Sequence, residues 1–152
     1  MAKIVVPVKR LVPEAKLPER QHAYDAGWDV AMVSAELTGT AQITNPIYVY
    51  GTGLAFAVPE GYWLDIRSRS SVYKMGLCLA NGSGVLDANF RGELKLVFYD
   101  MGNGWNKPKQ FDRIGQLILQ PALTTDYEFV EVDELPPSPD DRGEGGFGST
   151  GK

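Results

Sequence analysis

The glycine-rich end of the chain combines groups that bind phosphate with one that stacks on a flat ring. Arg142 carries a permanent positive charge, Ser149 and Thr150 carry hydroxyls, and Gly148 exposes its backbone amide. Such groups donate hydrogen bonds to phosphate oxygens, and the ring of Phe147 can stack on a nucleobase. So many glycines disfavour a helix or a strand. The segment therefore indicates an arm that closes over a nucleotide; a disordered tail without a role is the alternative.

A second group able to do chemistry is Asp87, which lies in a short segment bounded by Gly84 and Gly92. A carboxylate held in a tight hairpin can orient a water molecule and take its proton, as a general base does. Aspartate also closes turns by bonding to its own backbone, and that structural role is the alternative. Phe90, in the same segment, either supports the face of a sugar or base or packs into the core.

Other positions carry groups suited to an anion. Arg69, Ser70 and Ser71 open a predicted helical turn, where hydroxyls, amides and guanidinium groups together bind anions, unless serine only caps the turn. Gln116 follows a glycine in an apolar strand, and either points its amide at a phosphate or faces solvent. Asp29 stands at the start of another strand, where an exposed salt bridge is its simplest role.

Composition disfavours several classes of protein. His22 is the only histidine and Cys78 the only cysteine, so neither a hydrolase with a histidine base nor a His or Cys metal site is expected. The net charge of −4 predicts no direct nucleic-acid binding, although local arginines and a divalent cation could still hold a small anion. No apolar run approaches the roughly 18 residues of a membrane span. We expect a cytoplasmic protein, or a nuclear one in a eukaryotic host.

The sequence is rich in short runs of β-branched and aromatic residues separated by turn residues. We therefore expect strands to position the candidate site residues. The predicted strands are Lys3–Val8, Trp28–Val33, Ile43–Tyr50, Leu54–Val58, Tyr62–Arg67, Gly92–Tyr99, Ile114–Leu119 and Tyr127–Val132. One helical turn is predicted over Ser70–Met75. Many short strands without a long helix indicate an all-β antiparallel sandwich or barrel.

The length of 152 residues suits one domain with a sizeable core. We place a β domain at residues 1–135 and a separate flexible C-terminal arm at residues 136–152. The arm starts with Pro136-Pro137-Ser138-Pro139, an extended and stiff linker that carries the glycine-rich end away from the domain.

Five segments of the chain, in order, resemble the five motifs of the trimeric deoxyuridine triphosphate nucleotidohydrolases, the dUTPases. They are Ala26–Asp29, Arg69–Ser71, Gly84–Gly92, Asp112–Leu117 and Arg142–Gly151. The resemblance extends from about Lys16 to the end of the chain. It implies a distorted jelly roll, a β-sandwich of the β-clip type with one short helix. It also implies a homotrimer whose three sites are each assembled from three subunits.

The resemblance further implies a dUTP diphosphatase, in which water attacks the α-phosphorus of dUTP to give dUMP and pyrophosphate. This reaction limits uracil in DNA and supplies dUMP for thymidylate synthesis. Asp87 would be the catalytic base. Mg²⁺ would be the cofactor, held by the triphosphate and by waters without direct protein ligands, and Asp29 would reach it through a water.

The substrate-binding residues also follow from the resemblance. Asn81 and the backbone of Val85, Leu86 and Asp87 would read the uracil edge, and the main chain near Lys95 would close the pocket. Phe147 would stack over uracil. Phosphate oxygens would be held by a set of basic, hydroxyl and amide groups: Arg69, Ser70, Ser71, Gln116, Arg142, Gly148, Ser149 and Thr150.

Two positions bear on specificity. Phe90 stands where the family usually has tyrosine under the deoxyribose, so the ring face is kept and the hydroxyl is lost. Deamination of dCTP on the same architecture uses a glutamate on the strand after the hairpin, and the matching position is Val97, so that activity is not expected. A nucleotide-binding protein without catalysis is the other alternative, and the retained Asp87 and fifth motif argue against it.

Overall fold

The computed structural model of the protein describes residues 3–39, 45–102 and 107–138, and strands dominate these residues. The strands are β1 Val8–Arg10, β2 Trp28–Ala31, β3 Ser34–Leu37, β4 Ile47–Phe56, β5 Tyr62–Ser68, β6 Leu77–Leu79, β7 Gly84–Leu86, β8 Glu93–Asp100 and β9 Arg113–Pro121. A 3₁₀ helix at Val72–Met75 follows β5, within the predicted helical turn. The described residues contain no helix long and apolar enough to cross a membrane.

The strands form two antiparallel sheets. The first sheet has the order β1-β4-β8-β6, with β3 also paired to β4, and the second has the order β2-β9-β5-β7. All pairs are antiparallel, as in β2 with β9 and β5 with β9. The predicted all-β sandwich is therefore confirmed.

The core lies between the two sheets. Phe98, Leu54 and Leu96 of the first sheet are almost fully buried, as are Ile114 and Val30 of the second. In strand β8 every second residue is buried, from Leu94 to Asp100, and over Glu93–Leu96 the polar and apolar residues alternate in step with this burial. Burial of these side chains removes apolar surface from water and supplies the main stabilisation of the fold.

Strand β4 joins two segments that the sequence predicts as separate strands, Ile43–Tyr50 and Leu54–Val58. A bulge between Gly51 and Ala55 shifts its register against β8 and so lets one strand continue through the glycines. Gly53 has a φ of 66° at this point, and its amide donates to Glu93 Oε1 at 2.8 Å. The buried Thr52 hydroxyl donates to the Leu94 carbonyl at 2.8 Å. The bulge is thus held by side chains as well as by the ladder.

Other strand predictions differ from the structure. Residues Tyr127–Val132 are not a strand, and Phe129 is 95 % exposed. β propensity alone does not make a strand, because the backbone also needs a partner and the side chains a surface to cover. The first strand begins at Val8, where the predicted one ends. The three-residue strands β6 and β7 are too short to show a period in the sequence.

Candidate functional site

A cavity of about 290 Å³ opens between the β7 hairpin and the edge of β8, and we call it the hairpin cavity. Strand β6 pairs with β8 only from Phe98 onward, so the edge of β8 around Lys95 is left without a β6 partner. Strand β7 pairs instead with β5 of the second sheet. The gap between the two strands is the cavity. It is lined by predicted site residues from both sides, namely Asn81, Val85, Leu86, Phe90 and Lys95.

The side chains at this cavity differ in how firmly they are held. Lys95 Nζ lies 3.7 Å from Glu93 Oε2, while Glu93 Oε1 accepts the Gly53 amide across the sheet. Val85 is 62 % exposed, whereas Leu86 is buried in the core. Val97 also lines the cavity, so an apolar side chain occupies the position that a deaminase needs for its glutamate.

The tip of the hairpin is held by Arg91. Its Nη1 donates to the carbonyl of Ala88 at 2.6 Å and to that of Phe90 at 2.7 Å. The Phe90 ring lies against Gly92, where a Cβ would be 2.6 Å from ring atom Cζ. Phe90 remains 45 % exposed, so its ring packs on the hairpin itself and presents a face to solvent.

Asp87 lies in this turn with an exposed side chain. The turn is closed by the Phe90 amide, which donates to the Asp87 main-chain carbonyl at 3.1 Å. Among the described residues, the Asp87 carboxylate makes no hydrogen bond or ion pair. The alternative of an aspartate that closes the turn with its side chain is therefore not what the structure shows. Asp87 lines a separate groove of about 630 Å³ with Trp63 and Tyr127, and this groove shares Val85 with the hairpin cavity.

A second cavity, of about 380 Å³, collects groups suited to an anion, and we call it the anion pocket. Arg69, Ser70 and Gln116 line it together with Asp29, and the exposed His22 lies at its rim. Arg69 and Ser70 follow the end of β5, while Gln116 lies on β9 directly opposite Asp29 on β2. Ser71 does not line this pocket; its carbonyl accepts the Lys74 amide at 3.0 Å at the start of the 3₁₀ helix.

The Gln116 side chain is fixed by its neighbours. Its Nε2 donates to the Ser68 carbonyl at 3.1 Å, which leaves a second N–H of the amide for another oxygen. Gly27 lies so close that a Cβ there would be 2.3 Å from Gln116 Oε1 and 3.1 Å from its Cβ. Only glycine at position 27 leaves the amide in this place.

Asp29 connects two arginines. Its Oδ1 accepts from Arg69 Nε at 3.0 Å and its Oδ2 from Arg113 Nη1 at 3.0 Å. Arg113 pairs with Asp29 rather than with its neighbour Asp112, whose Oδ2 accepts the Lys109 amide at 2.8 Å. The described residues contain no group of three or more His, Cys, Asp or Glu side chains able to hold a metal ion.

The anion pocket and the hairpin cavity share no lining residue, and Asp87 lies in neither. Within one chain the structure therefore brings three of the predicted phosphate ligands together, Arg69, Ser70 and Gln116, and separately four of the predicted uracil ligands, Asn81, Val85, Leu86 and Lys95. The predicted residues of the fifth motif, Arg142, Phe147, Gly148, Ser149 and Thr150, lie outside the described residues.

Three residues around these cavities were not identified from the sequence. Arg91 braces the hairpin, Glu93 closes the β4 bulge, and Arg113 holds Asp29. An arginine after a short turn could have suggested the first role. The other two join residues that are 40 and 84 positions apart, so no local pattern marks them.

Displaced pKa values occur in the first sheet, at Tyr50 within β4 and at Asp100 at the end of β8. Burial, with Tyr48 and Asp100 nearby, raises the pKa of Tyr50 to about 12. The hydrogen bond from Lys107 lowers the pKa of Asp100, against the opposing effect of burial. The Gly102 amide also donates to Asp100 Oδ1 at 2.9 Å. These groups stabilise the end of the sheet and line neither cavity.

Comparison with known proteins gives a consistent family. The family model described as dUTPase matches residues 13–151. A deoxyuridine 5'-triphosphate nucleotidohydrolase of Nautilia profundicola is 36 % identical, over 95 % of this chain and 97 % of that protein. One from Zymomonas mobilis is 38 % identical, over 98 % of this chain and 99 % of that protein.

Solved structures agree in fold. The dUTPase of Staphylococcus bacteriophage 80alpha with dUpNHpp has a TM-score of 0.80 and 28 % identity, covering 99 % of this chain and 100 % of that one. A mutant dUTPase from phage phi11 of S. aureus, whose structure reveals how a structural Mg(II) ion is coordinated, has a TM-score of 0.72 and 24 % identity, covering 88 % of this chain and 100 % of that one.

Proposed function

The chain belongs to the dUTPase family, and from that premise we propose that it hydrolyses dUTP to dUMP and pyrophosphate. The observation that carries this proposal is the Asp87 carboxylate, exposed on a braced hairpin and not engaged by any described residue. A carboxylate in this state is available to accept a proton from water. In the cell the reaction would keep uracil out of DNA and supply dUMP for thymidylate synthesis.

Asp87 acts as general base in the proposed reaction. It accepts a proton from a water whose oxygen forms a bond to the α-phosphorus. The bond from that phosphorus to the oxygen that bridges it to the β-phosphorus breaks, and pyrophosphate leaves with this oxygen. General-base catalysis of this kind contributes roughly 10²–10⁴-fold. The rigid turn matters because the attacking oxygen must lie in line with the leaving group. Arg91, by holding the carbonyls on either side of the tip, limits the positions that Asp87 can take.

The anion pocket binds the phosphates in this proposal. Arg69 supplies positive charge, Ser70 a hydroxyl, and Gln116 the N–H that the Ser68 carbonyl does not use. Charge-assisted hydrogen bonds from a guanidinium to phosphate are shorter and stronger than neutral ones. Ser71 contributes its hydroxyl from the adjacent turn, although it does not line the pocket in a single chain.

The hairpin cavity binds the nucleoside. The backbone of Val85 and Leu86, with the Asn81 amide, pairs with the uracil edge, and the unpaired edge of β8 near Lys95 closes it. Cytosine would leave these donors and acceptors unmatched, which costs more than a lost contact. A 5-methyl group would meet the hairpin, so thymine is excluded. Phe90 supports the sugar with its ring face.

Magnesium is proposed as cofactor, held by the triphosphate and waters. It would neutralise part of the triphosphate charge. The described residues offer no converging set of ligands for the ion, and both Asp29 oxygens accept from arginines. A metal carried by the substrate fits this donor set better than one resident in the protein.

We propose a homotrimer, with each site completed between chains. Supporting this, the two cavities share no residue within one chain, although a single dUTP must contact both. Large apolar side chains near the end of the described chain are also uncovered, with Leu123 63 %, Phe129 95 % and Leu135 86 % exposed. A surface of this kind marks a contact with another chain. The number of three follows from the family resemblance.

The arm at residues 136–152 would close each site, separate from the domain at residues 1–135. Arg142, Gly148, Ser149 and Thr150 would bind the outer phosphates, and Phe147 would stack over uracil. An arginine that closes on phosphates adds about 10³–10⁵-fold in comparable phosphoryl transfers, and stacking adds about 1–3 kcal/mol. We propose the cytoplasm as location, because one cysteine and a nucleotide substrate suit it.

The direct test incubates the purified protein with dUTP, dCTP or UTP and magnesium, and measures pyrophosphate and ammonia. Pyrophosphate from dUTP with little from the other two nucleotides is the expected result. Ammonia from dCTP would show a deaminase and contradict the assignment of Val97. Tight binding of dUTP without any product would show a nucleotide-binding protein instead.

A further inference from the structure

Each oxygen of the Asp29 carboxylate accepts a hydrogen bond from an arginine, and the two arginines come from different parts of the chain. Arg69 follows β5 and Arg113 begins β9, and each lies 3.0 Å from a different oxygen of the Asp29 carboxylate. The Asp29 side chain is only 14 % exposed. A carboxylate in this position is largely desolvated, and the two arginines hold it in place.

The backbone of Asp29 is also fixed on both sides. It lies opposite Gln116 in the β2–β9 ladder. On its other side, the Asp29 amide donates to the Glu19 carbonyl at 2.7 Å and the Glu19 amide donates back at 3.0 Å. Asp29 is therefore a rigid point beside the anion pocket. Arg69, by contrast, stands in the turn after β5 and has a long side chain with many rotamers.

The contacts of Arg69 leave part of its guanidinium available. Its Nε donates to Asp29 and its Nη1 lies 3.5 Å from the Arg113 carbonyl. Among the described residues, nothing hydrogen-bonds to its Nη2. The side chain is 24 % exposed and lines the anion pocket. The anchored side of the group thus faces Asp29, while a free donor remains for a ligand.

We propose that Asp29 is a positioning residue that holds Arg69 ready for the phosphates of the substrate, with Arg113 as the second anchor of the carboxylate. This inference rests on the proposed function, since it assigns a task within the same site. Two arginines and one carboxylate leave one net positive charge at this corner of the pocket. An arginine already held in its bound rotamer loses less entropy when the ligand arrives. This role acts through Arg69 and needs no metal, whereas the contact expected from the sequence reaches magnesium through a water molecule.

The test measures binding of dUpNHpp, an imido analogue of dUTP, by calorimetry in EDTA and again in magnesium. The proteins are wild type, Asp29→Asn, Arg69→Ala and the double variant. Each single change should weaken binding by about 10-fold to 100-fold, since a charge-assisted contact is lost. The loss should be the same with and without magnesium. In the Arg69→Ala background, Asp29→Asn should weaken dUpNHpp binding little further, because the two residues act together.

Other results would overturn the inference. Full recovery of Asp29→Asn binding at high magnesium would assign Asp29 to the metal. Additive losses in the double variant would show that Asp29 does not act through Arg69. If Asp29→Asn does not fold, Arg113→Gln provides the test, because it breaks the other ion pair from a 38 % exposed side chain. It should weaken dUpNHpp binding in the same direction, and unchanged affinity would contradict the anchoring role.

A matched control separates this role from general stability. Asp100→Asn breaks the ion pair with Lys107 at the end of the first sheet, away from both cavities. It should lower the melting temperature and leave dUpNHpp affinity unchanged. Wild-type protein that neither binds dUpNHpp nor hydrolyses dUTP would reject the proposed function itself. Wild-type activity with an unaltered Asp29→Asn affinity would reject only the inference about Asp29.

Discussion

Replacing Gly27 by alanine should disable the anion pocket while leaving the fold nearly intact. A Cβ at this position would lie 2.3 Å from Gln116 Oε1, and contacts under 3.0 Å do not occur in real structures. The amide must therefore retreat by at least about 0.7 Å, and a displacement of about 1 Å in a positioning group can lower the rate of an enzyme by about 10²-fold. We expect kcat/KM for dUTP to fall by about 10–100-fold.

The cost in stability should be small, because the nearest atom is the end of a flexible side chain. The displaced amide loses its hydrogen bond to the Ser68 carbonyl, which contributes about 1 kcal/mol. Steady-state hydrolysis of dUTP and thermal unfolding of the same samples measure the two effects separately. Gly39→Ala is the matched control, since a Cβ there would meet none of the described residues within 4 Å; its kinetics should equal those of wild type.

A double variant tests whether Gly27→Ala acts through the Gln116 side chain. Gln116→Ala removes Oε1 and Cδ, including the atom in severe clash with the new methyl group, and leaves only Cβ at 3.1 Å. Adding Gly27→Ala to it should therefore change kcat/KM very little. If Gly27→Ala alone keeps wild-type kinetics, the amide of Gln116 has no positional role. If Gly27→Ala lowers kcat/KM by the same factor with Gln116 present and with Gln116→Ala, its effect does not depend on the Gln116 side chain.

The other predictions concern the base, the arm and the pH dependence of stability. Asp87→Asn should bind dUpNHpp normally and lose about 10²–10⁴-fold in kcat; a near-normal rate would reject its role as base. Deleting Gly143–Lys152 should leave the melting temperature unchanged and cripple turnover, and a large fall in melting temperature would show a structural tail. Lys107 lowers the pKa of Asp100, so this pair stabilises the fold above the ordinary carboxyl pKa, and that contribution disappears as pH falls through the lowered value. Lys107→Met should therefore reduce the free energy of unfolding by about 1 kcal/mol near pH 7, as measured with urea, the modest figure reflecting a solvent-exposed lysine. The loss should shrink progressively as pH falls below the ordinary carboxyl pKa, and a loss that stays the same over this pH range would contradict the assignment.

Much of the fold could be predicted because the local sequence patterns that favour strands and turns agree with the burial of the same residues in the folded protein. The polar–apolar alternation in Glu93–Leu96 predicts the first half of β8 and its buried face directly, and the helical turn after β5 lies where serines and a glycine bound it. The β4 bulge could not be predicted, because Gly51 and Gly53 look like a turn until Glu93 is placed opposite them. The strand predicted over residues 127–132 was wrong for the opposite reason. Their composition is typical of a strand, but no strand of the described chain pairs with them.

For the site, the sequence predicted residue types better than their surroundings. Arg69, Ser70 and Gln116 do lie together, as their polar character and positions after or within strands suggested. A salt bridge was the simplest role expected for Asp29, but its two partners, Arg69 and Arg113, are distant in sequence and its side chain is only 14 % exposed, neither of which had a local sign. The separation of Asp87 from the anion pocket is also a property of the topology, because β7 and β2 lie at opposite edges of that sheet.

The central claim is that each active site joins the hairpin of one chain to the anion pocket of another. The most direct measurement mixes two inactive variants, Asp87→Asn and Arg69→Ala, unfolds and refolds them together, and assays dUTP hydrolysis. If the two halves come from different chains, random assembly should restore about a quarter of wild-type activity. If one chain supplies both halves, every site carries a defect and the mixture should show only the summed residual activity of its parents.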